Sequence, residues 1–246
     1  ALSCPLVIPF SFIKIASTMA NTTKNTQNSS TKKAIFILGM HRSGTSALMR
    51  VVNLLGASLG GRVLNAAADN KRGFWEHEAA VAIHEKLLRA LGHSWMDGTP
   101  LLENWQKTAA AKQASAEIDA LIQHDFFALT LWGIKDPRLS LLFPLWEPLL
   151  QKHNIQPHCI IAYRNPLEVA ASLDKRDKLP QSAALLCWLA YTLESLHAAQ
   201  AYPHTILSYD ALMQDWQPTM QQAAIDLQLT WPTTPENAAN DINDFI

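Results

Sequence analysis

Residues 34–50 have the sequence AIFILGMHRSGTSALMR, which combines a strand, a glycine loop and a helix. Residues 34–38 are an uninterrupted apolar run that ends at a glycine, the pattern of a buried parallel strand. The loop 39–44 has a glycine at each end, and apolar residues then recur at helical spacing from Ala47 to Leu55. This order brings backbone N–H groups and the positive end of a helix together, so it predicts an anion-binding loop.

The loop has the glycine spacing of a Walker A motif, but it lacks that motif's lysine. Thr45 occupies the position from which a Walker lysine contacts the β- and γ-phosphates of a nucleoside triphosphate. The positive charge is instead at Arg42, inside the loop, and Ser43, Thr45 and Ser46 add hydroxyl groups. Hydrolysis of a magnesium-bound nucleoside triphosphate is therefore disfavoured, whereas binding of a phosphate or sulfate group is retained.

The segment Arg42-Ser43-Gly44-Thr45-Ser46 resembles the loop that binds the 5′-phosphosulfate group in sulfotransferases. That family has Arg or Lys, then Ser-Gly-Thr, then Thr or Ser. The resemblance implies a P-loop-type fold and a set of loop residues that contact the donor: Gly39, His41, Arg42, Ser43, Gly44, Thr45 and Ser46.

Composition and charge describe a soluble globular chain with one sizeable core. The chain has 246 residues, of which 48% are hydrophobic and 17% charged, and its net charge is −1. This balance excludes the overall basic field of a nucleic-acid-binding protein, so any anion site must be local. The three cysteines, Cys4, Cys159 and Cys187, lack metal-binding spacing and are typical of a reducing compartment, so we expect the protein to be cytoplasmic.

Residues 1–31 are predicted to be a disordered N-terminal extension. Its apolar part, 6–15, is interrupted by a proline and a lysine and is too short to span a membrane. The Asn-, Thr- and Ser-rich part that follows is typical of disorder. Met19 is a candidate start, in which case residues 1–18 are translated from upstream sequence. A single domain is expected over 32–246.

Three further apolar runs, at 129–134, 159–163 and 205–208, predict strands that alternate with helical segments. The predicted helices cover 79–91, about 104–124, 139–152, a segment starting at 166, 179–201, and a last one ending near 227. Pro144 and Pro148 are expected to break the helix at 139–152 into two pieces. After Trp231 the chain is expected to be irregular, which leaves open whether the domain is complete. This alternation predicts a three-layer α/β/α fold around a central, mostly parallel sheet.

Cationic residues follow three of the predicted strands directly. Arg42 follows the first, Lys135 and Arg138 follow the second, and Arg164 follows the third. Because ligands bind at the carboxyl ends of parallel strands, these side chains are expected to meet at one site. For Arg138, support of the site through Asp136 is favoured over a direct phosphate contact.

Arg164 and Ser172, eight residues apart, resemble the segment that binds the 3′-phosphate of the donor in sulfotransferases. The segment around Tyr209 resembles the family's element near the adenosine. Together with the first loop, this resemblance covers about residues 33–229 and implies 3′-phosphoadenosine 5′-phosphosulfate as the donor. The motifs are most similar to bacterial, Golgi-type and tyrosylprotein members. The Arg-Lys-Gly segment of cytosolic members is absent, so another group must replace it or the chain is incomplete.

Sulfonate transfer requires a base for the acceptor and cations for the leaving bisphosphate. Arg42 and Lys135 are the candidates for leaving-group stabilisation, and no metal is required. Glu76 is the preferred base, because the apolar Phe74-Trp75 pair before it is expected to raise its pKa and Golgi-type members use a glutamate at this point in the chain. His77 is the alternative base, since cytosolic members use a histidine.

Two other functions remain as alternatives: a P-loop kinase or nucleoside triphosphatase, and a non-catalytic adenine-nucleotide-binding module. The acceptor is not specified by any motif. Trp75, Trp95 and Trp105 could stack on a sugar face, which favours a carbohydrate acceptor over other small molecules. Neither a nucleic-acid partner nor a membrane span is expected, and the oligomeric state is left open.

Overall fold

A computed structural model describes residues 31–67 and 70–246. Its sheet has four parallel strands in the order β2-β1-β3-β4. The strands are β1 (Lys32–Leu38), β2 (Leu131–Lys135), β3 (Ile155–Tyr163) and β4 (His204–Ser208). The prediction of a disordered extension concerns residues that, apart from Thr31, lie outside the described part of the chain.

Helices connect the strands and cover both faces of the sheet. They are α1 (Thr45–Leu54), α2 (Glu78–Ala90), α3 (Ala109–Leu121), α4 (Leu139–Lys152), α5 (Pro166–Asp177), α6 (Gln181–Ala199), α7 (Tyr209–Gln214), α8 (Trp216–Asp226) and α9 (Pro235–Phe245). Within the described ranges, no helix is both long enough and apolar enough to cross a bilayer.

The sheet separates two apolar cores, as the prediction of three layers requires. Phe36 points to one face, where its ring makes edge contacts with Trp132, Phe143 and Trp146 at centroid distances of 5.8, 5.1 and 5.7 Å. Helices α2 to α6 pack on this side. Ile35 and its neighbours in register point to the other face, which α1, α7, α8 and α9 cover. Burial on both faces explains why the strands are continuously apolar.

The long helix expected over 104–124 is divided. A short 3-10 turn (Trp105–Lys107) precedes α3, and a π-helical turn (Ile122–Phe126) follows it. Thr108 begins α3 because its side chain accepts a hydrogen bond from the N–H of Ala111.

Two other predictions about helices were wrong. Pro144 and Pro148 do not break α4, which is one helix of 14 residues. Both prolines lie on its exposed face, where water can bind the carbonyl groups that lack a helical partner, and the opposite face is held in the core. The segment after Trp231 is not irregular, because α9 occupies most of it. Thr234 caps this helix, and Ala238 and Ile242, one turn apart, are buried.

The register places the ends of three strands at one edge of the sheet. Ile37 of β1 pairs with Lys135 of β2 and with Ile160 of β3. The residues that follow these strands therefore emerge side by side, and this edge holds the candidate site.

Candidate active site

A cavity of about 670 Å³ opens at the carboxyl edge of the sheet. The four cations expected to meet there all line it: Arg42, Lys135, Arg138 and Arg164. So do Gly44 and Ser46 at the start of α1. The structure thus brings together the ends of β1, β2 and β3 and the N-terminus of one helix.

The N-terminus of α1 carries no side-chain cap. Gly44 occupies the capping position with a left-handed φ of 85°, and the N–H of Leu48 makes the first bond of the helix to the Gly44 carbonyl. The N–H groups of the preceding turn are the ones that an anion at a helix N-terminus binds. A Cβ atom on Gly44 would lie 2.2 Å from the ring of Tyr209, so this glycine also allows Tyr209 to pack against the loop.

Arg42 adopts a left-handed φ of 68°, which is a strained conformation for a residue with a side chain. Its Nε atom donates a hydrogen bond of 2.8 Å to Ser172 Oγ. Its carbonyl accepts a bond of 3.4 Å from Arg164 Nη1. Ser172, which the sequence analysis pairs with Arg164, therefore bonds to Arg42. Arg42 thus links the predicted 5′-phosphosulfate loop to Ser172 through its side chain and to Arg164 through its carbonyl.

Arg164 lies against Tyr209, with its guanidinium carbon 4.7 Å from the ring centroid. Its Nε atom pairs with Glu168 at 2.9 Å, one turn along α5. Asn165 caps α5 by accepting the N–H of Leu167, so the guanidinium is attached to a fixed strand-to-helix junction. These contacts place a cation and an aromatic ring on the same wall of the cavity.

Gly39 and Ser43 belong to the framework of the loop and do not line the cavity. The Gly39 N–H donates to Ser140 Oγ at 2.9 Å, and a Cβ atom on Gly39 would lie 2.6 Å from the Ala162 carbonyl oxygen. Glycine is required there because two backbones meet closely. Ser43 is buried, and its N–H bonds to the Met40 carbonyl.

His41 also lines the cavity, with its ring centroid 4.3 Å from that of Trp95. Burial, together with the nearby charge of Arg138, lowers the pKa of His41 well below its ordinary value. The ring is therefore neutral at pH 7. The His41 ring is tilted by 40° against that of Trp95, which also lines the cavity.

Lys135 connects the loop to Glu76. Its Nζ atom donates to Glu76 Oε1 at 2.5 Å, to Ser46 Oγ at 3.0 Å and to the Phe74 carbonyl at 3.3 Å. Burial raises the pKa of Glu76 above its ordinary value, although the charge of Lys135 acts in the opposite direction. Glu76 is thus a buried carboxylate in direct contact with the cation of Lys135.

Of the two apolar residues expected to shield Glu76, Phe74 and Trp75, the second packs elsewhere. The Trp75 ring packs under Arg50, at 4.4 Å, and beside Phe245. Trp75 also has a left-handed φ of 57°, which turns successive side chains of this segment in different directions. Phe74 lines the cavity together with Glu76, whereas Trp75 does not.

His77 does not line the cavity. Its ring packs on Phe126, with the centroids 5.2 Å apart, and its Nε2 atom lies 3.1 Å from Asp125 Oδ2. Burial lowers the pKa of His77, and the charge of Asp125 counteracts this effect. The two adjacent candidate bases therefore face different surroundings, and only Glu76 faces the cavity.

A buried network supports Arg138. Its Nη1 atom lies 2.8 Å from Asp136 Oδ1 and its Nη2 atom 2.6 Å from Glu85 Oε1. Trp146 Nε1 donates to His84 Nε2 at 2.9 Å, so His84 donates from Nδ1 to Asp136 Oδ2 at 2.8 Å. Burial acts to raise the pKa of Asp136, but the charge of Arg138 and the bond from His84 outweigh it and hold this pKa below its ordinary value.

This network bears on the earlier prediction for Arg138. The Arg138–Asp136 pairing has the geometry of the support that was favoured for Arg138. Both nitrogen atoms of His84 are used within the network. Among the described residues, no group of three or more His, Cys, Asp or Glu side chains is placed to bind a metal ion.

No motif predicts several of the residues that shape the cavity. Glu85 and Arg176 line it, but neither lies at a strand end. The burial of His84 could have been predicted, because it occupies a position on the apolar face of the amphipathic α2, and the structure shows it fully buried. Arg72 also lines the cavity and donates to the carbonyl oxygens of Phe245 and Ile246, so α9 completes one wall.

Among the described residues, the cavity wall carries more positive than negative side chains, although the whole chain has a net charge of −1. The cations are Arg42, Lys71, Arg72, Lys135, Arg138, Arg164 and Arg176, and the carboxylates are Glu76, Glu85 and Asp177. With an open helix N-terminus at the same place, this wall fits a ligand that carries several negative charges.

No protein-family model matches the sequence, and no curated protein matches it. Several solved structures are similar to this chain, and two of them are sulfotransferase domains. The sulfotransferase domain from the curacin biosynthetic pathway aligns with a TM-score of 0.46 and 18% identity over 85% of this chain and 77% of that chain. The sulfotransferase domain from the Synechococcus PCC 7002 olefin synthase aligns with a TM-score of 0.50 and 17% identity over 89% of this chain and 80% of that chain. The similarity to the olefin synthase domain shows that the chain has a sulfotransferase-like α/β fold.

Proposed function

We propose that this protein is a sulfotransferase that transfers a sulfonate group from 3′-phosphoadenosine 5′-phosphosulfate to a hydroxyl or amine group of an acceptor by in-line displacement. The observation that carries the proposal is the convergence of Arg42, Lys135 and Arg164 on one cavity beside the uncapped N-terminus of α1. A threonine at the Walker lysine position favours this donor over a nucleoside triphosphate.

The two charged ends of the donor match two parts of the cavity. The 5′-phosphosulfate fits the N-terminus of α1, where Thr45 and Ser46 add hydroxyl groups to the backbone N–H groups. The 3′-phosphate fits Arg164, a forked cation that suits a phosphate. Ser172, bonded to Arg42, can donate its hydroxyl hydrogen to the same phosphate. Tyr209 then lies between the two ends, where the adenosine is expected.

The donor supplies a sulfur atom bonded to a bridging phosphate oxygen, and that S–O bond breaks as the acceptor forms a new bond to sulfur. Negative charge then develops on the bridging oxygen. Lys135, which contacts Ser46 at 3.0 Å, is placed to neutralise it, and Arg42 contributes from within the loop.

Glu76 is the proposed base. Its raised pKa makes it a stronger proton acceptor than a carboxylate in water, and it lines the cavity beside Lys135. A donor anion competes with Glu76 for Lys135, so donor binding would release a carboxylate oxygen toward the acceptor. The proton of the acceptor hydroxyl or amine then passes to Glu76.

A carbohydrate is the favoured acceptor. Of the three tryptophans considered from the sequence, Trp95 lines the cavity, whereas Trp105 is buried in the core and Trp75 packs on Arg50. An indole face in a polar, charged cavity suits a sugar ring, whose C–H groups stack and whose hydroxyls bond to the wall.

The two competing functions require different features of the site: the first concerns Asp136 and the second Glu76. A P-loop kinase or nucleoside triphosphatase needs a strand-end carboxylate that can hold a metal ion. Asp136 is fully buried and bonded to both Arg138 and His84, which argues against that role. A non-catalytic adenine-nucleotide module would need no buried carboxylate beside the phosphates, so Glu76 argues against it.

The test is transfer of label from 3′-phosphoadenosine 5′-[³⁵S]phosphosulfate to separate panels of saccharides, peptides and phenols. We expect labelled saccharide that depends on the enzyme. Label in peptides or phenols would support the reaction but overturn the acceptor class. Binding of adenosine 3′,5′-bisphosphate without transfer to any panel would favour the non-catalytic module, and phosphoryl transfer from Mg-ATP would favour a kinase.

A further inference from the structure

One stripe of α5 follows the cavity wall over three turns. Glu168, Ser172 and Arg176 are spaced by four residues, so they lie on one side of the helix, each about 6 Å along its axis from the next. Glu168 pairs with Arg164, and Ser172 bonds to Arg42. The stripe therefore starts beside the guanidinium proposed for the 3′-phosphate, passes the anion loop at its second member, and reaches Arg176 last.

Trp95 and His41 lie at the Arg176 end of this stripe. The guanidinium carbon of Arg176 is 5.4 Å from the centroid of the Trp95 ring, within the range of a cation–π contact. The His41 ring is 4.3 Å from the same ring, and His41 directly precedes Arg42 in the chain. In the proposed reaction the adenosine lies on the Arg164 side of the loop. The Trp95 end is therefore the side from which an acceptor attacks sulfur opposite the leaving oxygen.

Arg176 has a counterion at this end of the cavity. Its Nε atom lies 2.7 Å from Asp177 Oδ2, and both residues line the cavity. Trp95, on which the guanidinium of Arg176 packs, is fixed in turn, because its carbonyl accepts the hydroxyl hydrogen of Tyr191 at 3.2 Å. A cation and an anion are therefore presented together from a fixed position.

A second pair of the same kind lines the cavity from α2 and the end of β2. Arg138 Nη2 lies 2.6 Å from Glu85 Oε1. Val81, one turn before Glu85, lines the cavity as well, so this face of α2 borders it. Burial lowers the pKa of His41, and the charges of Arg138 and Arg176 lower it further. Both arginines thus lie close enough to this ring to act on its charge, and the ring itself is neutral at pH 7.

The polar groups at this end of the cavity are compensated in charge. Each of the two arginines has a carboxylate partner, and the histidine is neutral. A carboxylate or sulfate group on an acceptor would meet Asp177 or Glu85 as a like charge, or would have to displace it. A sugar hydroxyl can both donate and accept a hydrogen bond. Two adjacent hydroxyls of one ring can therefore bind to a carboxylate and to the guanidinium beside it without separating the pair.

We propose that the Arg176–Asp177 and Arg138–Glu85 pairs form the acceptor subsite and select an uncharged sugar ring over an acidic one. This selection rests on the proposed function, whose acceptor class it narrows. A hexose presents hydroxyls on neighbouring carbons to both pairs, whereas a uronic acid or a sulfated sugar adds a negative charge. The subsite discriminates through charge, which a matched set of sugars can measure.

The experiment is competition against sulfonate transfer from the labelled donor, with methyl glucoside and methyl galactoside as acceptors. For each sugar, the competitors are the methyl glycoside of the uronic acid and the methyl 6-deoxyglycoside. Both lack the hydroxymethyl group at carbon 6, and only the first is charged. Competition reports binding whichever hydroxyl receives the sulfonate group. We expect the inhibition constant of the uronic acid to be higher by about tenfold or more. An equal or lower constant for the uronic acid would overturn the proposal.

The Asp177→Asn variant tests the first pair. It removes the negative charge beside Arg176, so the uronic acid should bind about fivefold or more tighter relative to the 6-deoxyglycoside. Asp174→Asn is the matched control, because Asp174 lies on the same helix, is exposed and does not line the cavity. Its ratio of inhibition constants should equal that of the wild type. An unchanged ratio in Asp177→Asn, or the same change in both variants, contradicts the proposal.

Binding of adenosine 3′,5′-bisphosphate shows whether each variant is folded. If Asp177→Asn loses this binding, Glu85→Gln takes its place, with the same two outcomes. Failure of the selection and failure of the proposed function give different results. Transfer to uronic acids but not to the neutral sugars would leave a sulfotransferase with the opposite preference. Absence of both sulfonate transfer and bisphosphate binding in the wild type would remove the proposed function, and the selection with it.

Discussion

The Nζ atom of Lys135 lies 2.5 Å from the Oε1 atom of Glu76, and both residues are buried. This ion pair joins the end of β2 to the segment just before α2, and the two residues are 59 positions apart. Removing either partner leaves a buried charge without its counterion. In the proposed reaction, the base and the leaving-group cation therefore share one bond, which the arriving donor anion has to weaken before a proton can move.

Replacement of Glu76 by glutamine should suppress turnover by about 10²–10⁴-fold, the usual contribution of a general base. Affinity for adenosine 3′,5′-bisphosphate should change little or rise slightly, because Lys135 loses its competing carboxylate. Steady-state kinetics with the labelled donor and calorimetry with the bisphosphate measure the two effects. His77→Gln is the control and should keep its activity, since His77 lies outside the cavity. Full activity in Glu76→Gln would show that another group is the base.

The pH profile checks the same assignment. The reactive form of Glu76 is the carboxylate, and burial raises its pKa above 4.5. The rate of transfer should therefore fall as the pH drops through a midpoint above 4.5, and this limb should be absent from the residual activity of Glu76→Gln. The same decline of the rate at low pH in both proteins would show that a different residue causes it.

Replacement of Arg164 by alanine should weaken the binding of adenosine 3′,5′-bisphosphate by about 10–100-fold, because a charged hydrogen bond contributes about 1.5–3 kcal/mol. Adenosine 5′-monophosphate, which lacks the 3′-phosphate, should lose much less affinity. Arg164→Lys should be intermediate, since lysine keeps the charge and loses the fork. Equal losses for both nucleotides would mean that Arg164 does not contact the 3′-phosphate.

The Asp136→Asn variant tests the buried network. It should lose about 3–5 kcal/mol of unfolding free energy at pH 7, the usual cost of breaking a buried ion pair. The folded-state pKa of Asp136 lies below 3.8, so its contribution is present above that value and is lost as the pH falls through the folded pKa. Urea unfolding should give the same difference at pH 7 and pH 5 and a smaller one at pH 3. Asp119→Asn is the control, because Asp119 pairs with Lys152 at the surface, and it should change stability little. If Asp136→Asn lost as little unfolding free energy at pH 7 as this control, the account would be contradicted.

Gly44→Ala separates backbone strain from the contact with Tyr209. Gly44 and Gly92 both have a positive φ, of 85° and 68°, but a Cβ atom on Gly92 meets nothing within 4 Å. Both alanine variants should lose about 1 kcal/mol from strain. Only Gly44→Ala should also displace Tyr209. Calorimetry should then show at least tenfold weaker binding of adenosine 3′,5′-bisphosphate. Equal behaviour of the two variants would mean that Tyr209 has no part in the binding wall.

Local patterns predicted the part of this site that lies at strand ends. The apolar run before Gly39 and the one before Lys135 each predict a parallel strand, and parallel strands necessarily present their carboxyl ends at one edge. Arg42, Lys135 and Arg164 could therefore be placed together from sequence. Pro166 likewise predicts the start of α5, which the structure confirms.

The remaining features depend on contacts between distant residues. Nothing local predicts that Lys135 pairs with Glu76, or that Ser172 bonds to Arg42 across 130 positions. Local propensity was misleading for Pro144, because burial of the opposite face keeps α4 continuous. The α9 helix was missed although Thr234 has the features of a cap, since its apolar face is short.

The central claim is that one cavity binds both charged ends of an adenosine 3′,5′-bisphosphate carrier. Isothermal titration calorimetry with this nucleotide, and separately with Mg-ATP, tests it most directly. We expect the bisphosphate to bind at least tenfold more tightly than Mg-ATP and to lose that advantage in Arg164→Ala. Tighter binding of Mg-ATP, or no binding of the bisphosphate at millimolar concentration, would contradict the account.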